Sequence, residues 1–496
     1  MAVKPNPLNS GDSSVALSSH SAPAPGHHPV RVVLISTYEL GHQPFGLSSA
    51  AAWLRQIGAE VSCLDLSRQT LHAAVLGPAQ LVAFYLPMHT ATRIAVRAAK
   101  RVQELNPSAN LCAFGLYAAM NARYLQEVGF TTILSGEFEP GLAGLVERMS
   151  RGEAGDEQRK KGLVDVSLDR LQFLVPDRQG LPPLSNYARL MMPDGTRRIV
   201  GYTEASRGCK HLCRHCPIVP VYGGTFRIVQ RDIVMADIQL QVEAGAQHIT
   251  IGDPDFFNGI GHAKALVVDL HQHFPQLTYD VTIKVEHLLK HAEHLPLLRD
   301  TGCAFVTSAV ESVDDRILDF FDKCHSRADF ITVVDLFKNV GLVLSPTFVT
   351  FTPWTTLEGY CDLLMTLDRL DLVQNVAPIQ YAIRLLIPAG SRLLELKEVR
   401  DIVGEFDPES LSYRWRHPDP RMDLLQADLQ ETISKPGNLS REEIFSEIVE
   451  KVRLAGGSVS RERASRTADR PVTLIPQMNE PWYCCAEPTD EQIAPY

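Results

Sequence analysis

The chain has 496 residues, of which 45% are hydrophobic and 21% charged, with a formal net charge of -10. That length accommodates two or three domains, and the composition is that of a soluble globular protein. The acidic balance argues against nucleic acid or an anionic membrane as partner, and no apolar run reaches the roughly 20 residues a membrane span needs.

Residues 1–30 are rich in Ser, Pro, Ala and His, lack the apolar stretch of a secretory signal, and read as a disordered N-terminus. With no export signal, ten cysteines point to metal binding or redox chemistry in a reducing cytoplasm rather than to a disulfide framework. From Arg31 short apolar strands alternate with helices: Val32-Val33-Leu34-Ile35, then runs near 60–66, 80–86, 110–114 and 131–134. Such alternation predicts a doubly wound parallel sheet over 31–150. A charged stretch and a Pro-rich connector follow as a linker over 151–197.

A second α/β series occupies 198–395, with strands expected near 198–204, 247–252, 278–284, 303–309, 342–350 and 376–387. Six such units suit a partial (β/α)6 barrel. Residues 396–470 form a helical extension and linker, in which Ser440-Arg441-Glu442-Glu443 reads as a capping box. A short tail over 471–496 contains Trp482-Tyr483-Cys484-Cys485-Ala486-Glu487-Pro488.

After the first strand of the second series comes Ser206-Arg207-Gly208-Cys209-Lys210-His211-Leu212-Cys213-Arg214-His215-Cys216-Pro217. Three thiolates in C-x3-C-x2-C spacing can hold three irons of a [4Fe–4S] cubane and leave the fourth without a protein ligand. The competing reading is a zinc site, which wants four ligands and would draw on His211 or His215. Here the chain resembles the radical SAM superfamily over about 198–390. The resemblance implies a [4Fe–4S] cluster on Cys209, Cys213 and Cys216, with S-adenosylmethionine (SAM) chelating the open iron. It departs at His215, where the family commonly has an aromatic residue; imidazole can pack over adenine in the same way. Asp253 and Asp255 end the second strand, Glu311 the fourth and Pro388 the sixth, positions at which the family contacts SAM. For each of these the alternative is an ordinary helix cap or loop residue.

A doubly wound domain ahead of such a barrel resembles the cobalamin-binding radical SAM class, and Ser135-Gly136-Glu137-Phe138-Glu139 matches the Gly-Glu-x-Glu segment that closes those domains. The D-x-H-x-x-G motif that supplies a histidine to cobalt is absent, since Ser36-Thr37-Tyr38-Glu39-Leu40-Gly41-His42 stands there. This disfavours cobalamin without excluding it, and the alternative role of the domain is a scaffold that lids the barrel.

Adjacent cysteines close only a strained ring, so Cys484 and Cys485 suit a soft centre or thiol exchange better than a structural bridge. The bland alternative is a pair of solvated thiols. The string Cys-Cys-Ala-Glu-Pro resembles the radical SAM group named for its CUAEP or CCAEP tail, which is similar to the enzyme of arsinothricin biosynthesis. The resemblance implies transfer of a 3-amino-3-carboxypropyl group from SAM to trivalent arsenic, with Cys484 and Cys485 as catalytic thiols presenting arsenite. Cys303 or Cys324 could add a third thiol, against the simpler reading of both as buried small hydrophobes. The alternative enzyme is a radical methyltransferase or peptide-modifying enzyme. Either would take electrons from a flavodoxin or ferredoxin.

Overall fold

The computed structural model describes residues 29–153, 163–434, 439–460 and 474–480. Its first sheet consists of β1 (Arg31–Ser36), β2 (Glu60–Asp65), β3 (Leu81–Tyr85), β4 (Asn110–Phe114), β5 (Thr132–Gly136) and β6 (Leu163–Ser167). All pair in parallel, in the order β2-β1-β3-β4-β5-β6. Continuous apolar strands need cover on both faces. Val33 and Ile35 pack beneath the helix His89–Leu105, while Val32 and Leu34 face the helices Phe45–Gln56 and Glu139–Ser150. β6 lies in the stretch whose composition reads as linker. Its Leu163, Val164 and Val166 stay exposed, so no buried pattern marks it in sequence.

Next come β7 (Arg189–Met191), β8 (Arg197–Thr203), β9 (Ser206–Gly208), β10 (Phe226–Ile228), β11 (His248–Ile251), β12 (Thr278–Thr282), β13 (Cys303–Glu311) and β14 (Leu344–Phe348). A hairpin of β15 (Val403–Asp407) and β16 (Ser412–Trp415) follows, and β17 (Gln477–Met478) is the last strand described. The second sheet runs β14-β13-β12-β11-β8-β7-β17. From β8 to β14 it is a parallel half-barrel wall, closed at one edge by antiparallel β7 and β17. The sixth unit expected at 376–387 is not a strand: it folds as 3-10 turns, with one bridge between Phe351 and Arg384. Pro378 opens the turn Pro378–Tyr381, and an apolar run buried in turns is indistinguishable by hydropathy from one buried in a strand. The expected capping box forms, with Ser440 and Glu443 bonding each other's backbone.

The two faces of the half-barrel differ in burial. On the convex face Ile249, Ile251, Tyr279, Val281, Val306 and Val310 are at most 1% exposed, beneath the helices Arg231–Glu243, Ile260–His273 and Arg327–Val340. On the concave face Tyr202, Thr250, Thr282, Thr307 and Ser345 remain partly exposed. Side chains alternate along a strand, so this contrast outlines an open chamber inside the curl. Leu190, Val200 and Phe305 plug its floor. The loop after β1 reaches it from the first domain, where the His42 ring lies 5.0 Å from that of Tyr202.

Candidate active site

The three-cysteine loop leaves β9 at Gly208, whose φ of +74° suits glycine and where a Cβ would fall 2.4 Å from the Thr225 carbonyl oxygen and the Tyr222 ring. Beyond it, the Arg214 amide donates to the Phe321 carbonyl. The Ser391 hydroxyl and the Leu393 amide both donate to the Arg214 carbonyl. Pro388 is buried at the start of that clamping segment, and Gly390 sits against Pro220 just past Cys216. Cys209, Cys213 and Cys216 are all free thiols. Burial pushes the Cys216 thiol up to about 12 and Cys209 above its usual value.

Cys209, His211 and Asp255 bring one donor atom each within 4.8 Å of one another. His211 is nevertheless committed elsewhere: Nε2 lies 3.2 Å from Asp255, and Nδ1 lies 3.1 Å from the Lys284 ammonium. His287 Nδ1 approaches the same Asp255 oxygen at 2.7 Å. Burial alone would raise the Asp255 pKa, but the two imidazoles outweigh it and hold the carboxyl at about 2.

Across the mouth, His215 Nε2 lies 3.1 Å from Glu311 Oε1, and its ring stacks on Phe321 at 4.4 Å. Glu311 ends β13 at a register shift with φ of +70°, a strained value for a side-chain-bearing residue at a functional position. The Lys323 ammonium, 3% exposed, sits 3.4 Å from the same oxygen. Burial raises the Glu311 pKa, while Lys323 and then His215 lower it, leaving it at about 2. Sequence reasoning missed Lys323. Its neighbours Asp322 and Cys324 give no local sign of burial, and a buried lysine requires a partner that only the fold supplies.

With both histidines engaged by carboxylates, the loop offers three soft donors and no committed fourth. That donor set fits a cubane with one open iron better than tetrahedral zinc. Asp253 does something different: its carboxylate accepts from the Ala205 and Ser206 amides at 2.7 and 2.9 Å and from the Ser206 hydroxyl at 2.6 Å, shaping the approach to the loop.

The Gly-Glu-x-Glu segment is also placed. Arg207, between Ser206 and Gly208, donates to Glu137 at 3.2 Å and Glu139 at 2.8 Å across the domain seam, and to Glu204 at 2.7 Å. Behind that segment, Tyr85, Phe114 and Phe138 pack together with ring centroids 4.9 to 5.9 Å apart. A Cβ on Gly46 would lie 2.2 Å from the Tyr85 ring. Ligands of doubly wound domains enter where the strand order reverses, here between β1 and β3. On the face of the helix Phe45–Gln56, aromatic side chains line that slot. His42 turns to Tyr202 instead, and burial lowers its pKa to about 4.

Cys484 and Cys485 lie outside the described residues. The segment leading to them is held in place: Asn479 exchanges backbone and side-chain bonds with Arg189, and Glu480 accepts from the Tyr38 hydroxyl at 2.9 Å. Cys303 is buried at the start of β13, far from the mouth, whereas Cys324 is exposed beside Lys323.

Residues 203–367 match the model of the radical SAM superfamily. A curated relative, hopanoid C-3 methylase of Methylococcus capsulatus, is 23% identical over 343 residues, or 66% of this chain, and the match spans 64% of that protein's length. The solved cobalamin-dependent radical enzyme OxsB, with aqua-cobalamin and SAM bound, aligns at a TM-score of 0.63 and 12% identity over 86% of this chain and 72% of its own. The radical SAM methyltransferase TsrM of Kitasatospora setae, with tryptophan and a SAM analogue bound, aligns at 0.61 and 14% over 88% and 99%. These likenesses establish a shared fold, a doubly wound domain joined to a half-barrel. Among the described residues no helix is long and apolar enough to cross a membrane.

Proposed function

We propose that this enzyme transfers a fragment of SAM to a small acceptor held in the chamber of the half-barrel. The observation that carries this reading is the three-thiol loop standing at the chamber's mouth between two charged clusters, Asp255–His211–His287 and Glu311–His215–Lys323. Cys209, Cys213 and Cys216 would hold the cluster, which when bound supplies the electron for reductive cleavage of SAM. Lys323 and Lys284 suit the carboxylate of SAM, Asp255 or Glu311 its ammonium, and His215 its adenine. Each carboxylate is kept ionised at neutral pH by its cationic or imidazole neighbours. The chamber wall orients the acceptor, and the first domain roofs it against water.

Methyl transfer is the reading that the named relatives favour. A second reading rests on the tail: aminocarboxypropyl transfer to trivalent arsenic. Two features support it. The aromatic filling behind the switch point favours chemistry without a corrin. Glu480 is also fixed at the seam, and Cys485 follows it by five residues, a reach of about 17 Å of extended chain. Arsenite would then be the acceptor, and a flavodoxin or ferredoxin the electron source in either case.

The test is an anaerobic reaction of cluster-loaded protein with SAM, dithionite and arsenite, with products read by mass spectrometry and corrin content by absorbance. Methylthioadenosine with an aminocarboxypropyl arsenical supports the second reading. S-Adenosylhomocysteine or 5′-deoxyadenosine with no new arsenical returns the enzyme to the first. Zinc at one per chain and no SAM turnover would sink both.

A further inference from the structure

A group of polar side chains lies where the first domain meets the half-barrel, apart from the charged clusters at the mouth. Glu39 stands in the loop after β1, Tyr85 ends β3, and Tyr202 and Glu204 come from the end of β8 and the residue just beyond it. Every pair among these four interacts electrostatically. Glu39 is 6% exposed, and its Oε2 has no hydrogen-bond partner among the described residues. Neither the Tyr85 nor the Tyr202 hydroxyl bonds a described residue. Glycines make room for both rings: a Cβ on Gly252 would fall 1.8 Å from the Tyr202 hydroxyl oxygen, and Gly46 faces Tyr85 in the same way. Buried oxygens left without partners cost free energy unless something binds them. The carboxyl ends of β1 and β3 are also where ligands of doubly wound sheets enter.

Both signs of charge are present here, and carboxyls are in excess. Arg207 is committed to Glu204, Glu137 and Glu139, and Arg178 to Asp237 and the Tyr202 carbonyl. Asp65 accepts from the Ser67 hydroxyl and faces Arg68. Deeper in the chamber Asp280 is paired with His248, and Arg198 is tied to Thr278. That leaves Glu39 without an ion pair among the described residues. Burial, with Glu204 and Asp65 adding to it, holds its carboxyl well above the usual range, and Arg178 offsets this only in part. The surrounding surface is aromatic. The Phe45 ring lies 6.1 Å from that of Tyr202, and the Tyr85 ring 5.9 Å from that of Phe138. Carboxyls, phenols and ring faces together suit an organic cation better than a metal ion, whose oxygen sites supply more carboxylate and carbonyl ligands.

We propose that this seam binds the ammonium group of a small organic amine, with Glu39 as its counter-ion and the Tyr85 and Tyr202 hydroxyls as further hydrogen-bond acceptors. Tyr202 also belongs to the concave wall, so an amine anchored at Glu39 extends from the seam into the chamber as the acceptor. This deepens the group-transfer reading and rests on it. The first domain then does more than roof the chamber: its loop after β1 supplies the carboxylate that selects the acceptor by charge.

The test is saturation-transfer NMR on the cluster-loaded enzyme with SAM, using ethylammonium chloride, ethanol and sodium acetate as probes of similar size. The wild type gives a strong signal to ethylammonium, a weaker one to ethanol and none to acetate. Glu39→Gln weakens the ethylammonium signal by about tenfold, as for a lost hydrogen bond to a charged group. Its melting temperature stays equal or rises, because a buried carboxyl has been removed from a folded protein. Tyr85→Phe weakens the signal by about fivefold. Equal response to all three probes, no response to any, or an ethylammonium signal unchanged in both variants would overturn the site. So would its displacement by equimolar magnesium chloride, which makes the seam a metal site, or by stoichiometric hydroxocobalamin, which makes it a corrin seat. SAM cleavage assayed on the same wild-type sample separates the two claims. Its absence removes the group-transfer reading, whereas cleavage without a preference for ethylammonium removes the amine site alone.

Discussion

Arg207 and Glu139 meet at 2.8 Å across the domain seam, both buried, with Arg207 two residues before the first thiol of the three-cysteine loop. The guanidinium also lies 5.0 Å from the centre of the Phe173 ring and 5.3 Å from that of Phe138. Glu137 completes the pocket and accepts from the Tyr222 hydroxyl at 3.3 Å. The position of the cluster loop therefore depends on a carboxylate pair supplied by the first domain. Arg207→Ala would leave three carboxylates around an empty site, a loss of about 3–5 kcal/mol for a broken buried pair. The expected outcome is a lower melting temperature together with sub-stoichiometric iron after reconstitution. Full iron content at wild-type stability would show that the seam does not support the loop.

The same seam titrates. Burial, with Glu139 and Glu204 adding to it against the charge of Arg207, pushes Glu137 up to about 7 from 4.5. A carboxyl that holds its proton more tightly when folded stabilises the fold below its unfolded pKa, and that contribution is lost as pH rises through the folded value. Melting temperature should therefore fall between pH of about 5 and about 8. Glu137→Gln, which mimics the protonated form, should flatten that slope. An unchanged slope would place the titration elsewhere, with Asp253, also pushed up to about 7 by burial, the next group to examine.

Both halves of this seam were legible in the sequence, as Gly-Glu-x-Glu and as Ser-Arg-Gly, but their pairing was not. Arg207 and Glu137 are 70 residues apart, and nothing local records the contact. The cysteine loop was legible because ligand spacing is a local property. Lys323 was not, since a single lysine reads as a solvated surface charge until the fold buries it against Glu311. Asp280 and His248 likewise stand directly beside apolar residues on their strands, and only the curl of the sheet turns them inward. The over-read sixth strand has the opposite cause, since hydropathy reports burial and not backbone conformation.

Glu311 is held in a left-handed conformation with its carboxylate shared between His215 and Lys323. Glu311→Gln removes the charge and leaves the buried ammonium of Lys323 without its counter-ion. SAM affinity should fall by about tenfold or more, in line with the 1.5–3 kcal/mol of a hydrogen bond to a charged group, with iron content retained. Equilibrium dialysis with labelled SAM on the cluster-loaded protein checks this. Unaltered affinity would restrict Glu311 to a structural role.

Asp255 makes the parallel prediction on the opposite rim. Asp255→Asn releases His211 and His287 from a carboxylate that both approach, freeing His211 to act as a metal ligand beside Cys209. The variant should take up zinc during aerobic purification more readily than the wild type, read by metal analysis, and should bind SAM more weakly. Wild-type zinc content would show that the loop's preference for iron owes nothing to the engagement of His211.

The last prediction concerns how the tail is held. Gly41 has φ of +74°, and a Cβ there would fall 2.6 Å from Glu480 Oε2 and 2.9 Å from Ala188 Cβ. Gly41→Ala therefore strains the loop after β1 and pushes Glu480 away from Tyr38, altering the root of the segment that carries Cys484 and Cys485. If those thiols present the acceptor, product per SAM cleaved should drop by about tenfold, ~1.4 kcal/mol, in the Cys484→Ser/Cys485→Ser protein and by a smaller factor in Gly41→Ala. The ratio isolates transfer from SAM cleavage, so a general loss of activity cannot imitate it. An unchanged ratio in the double-serine variant would remove the thiols from the reaction. A drop there with none in Gly41→Ala would keep the thiols and show that Glu480 does not position them.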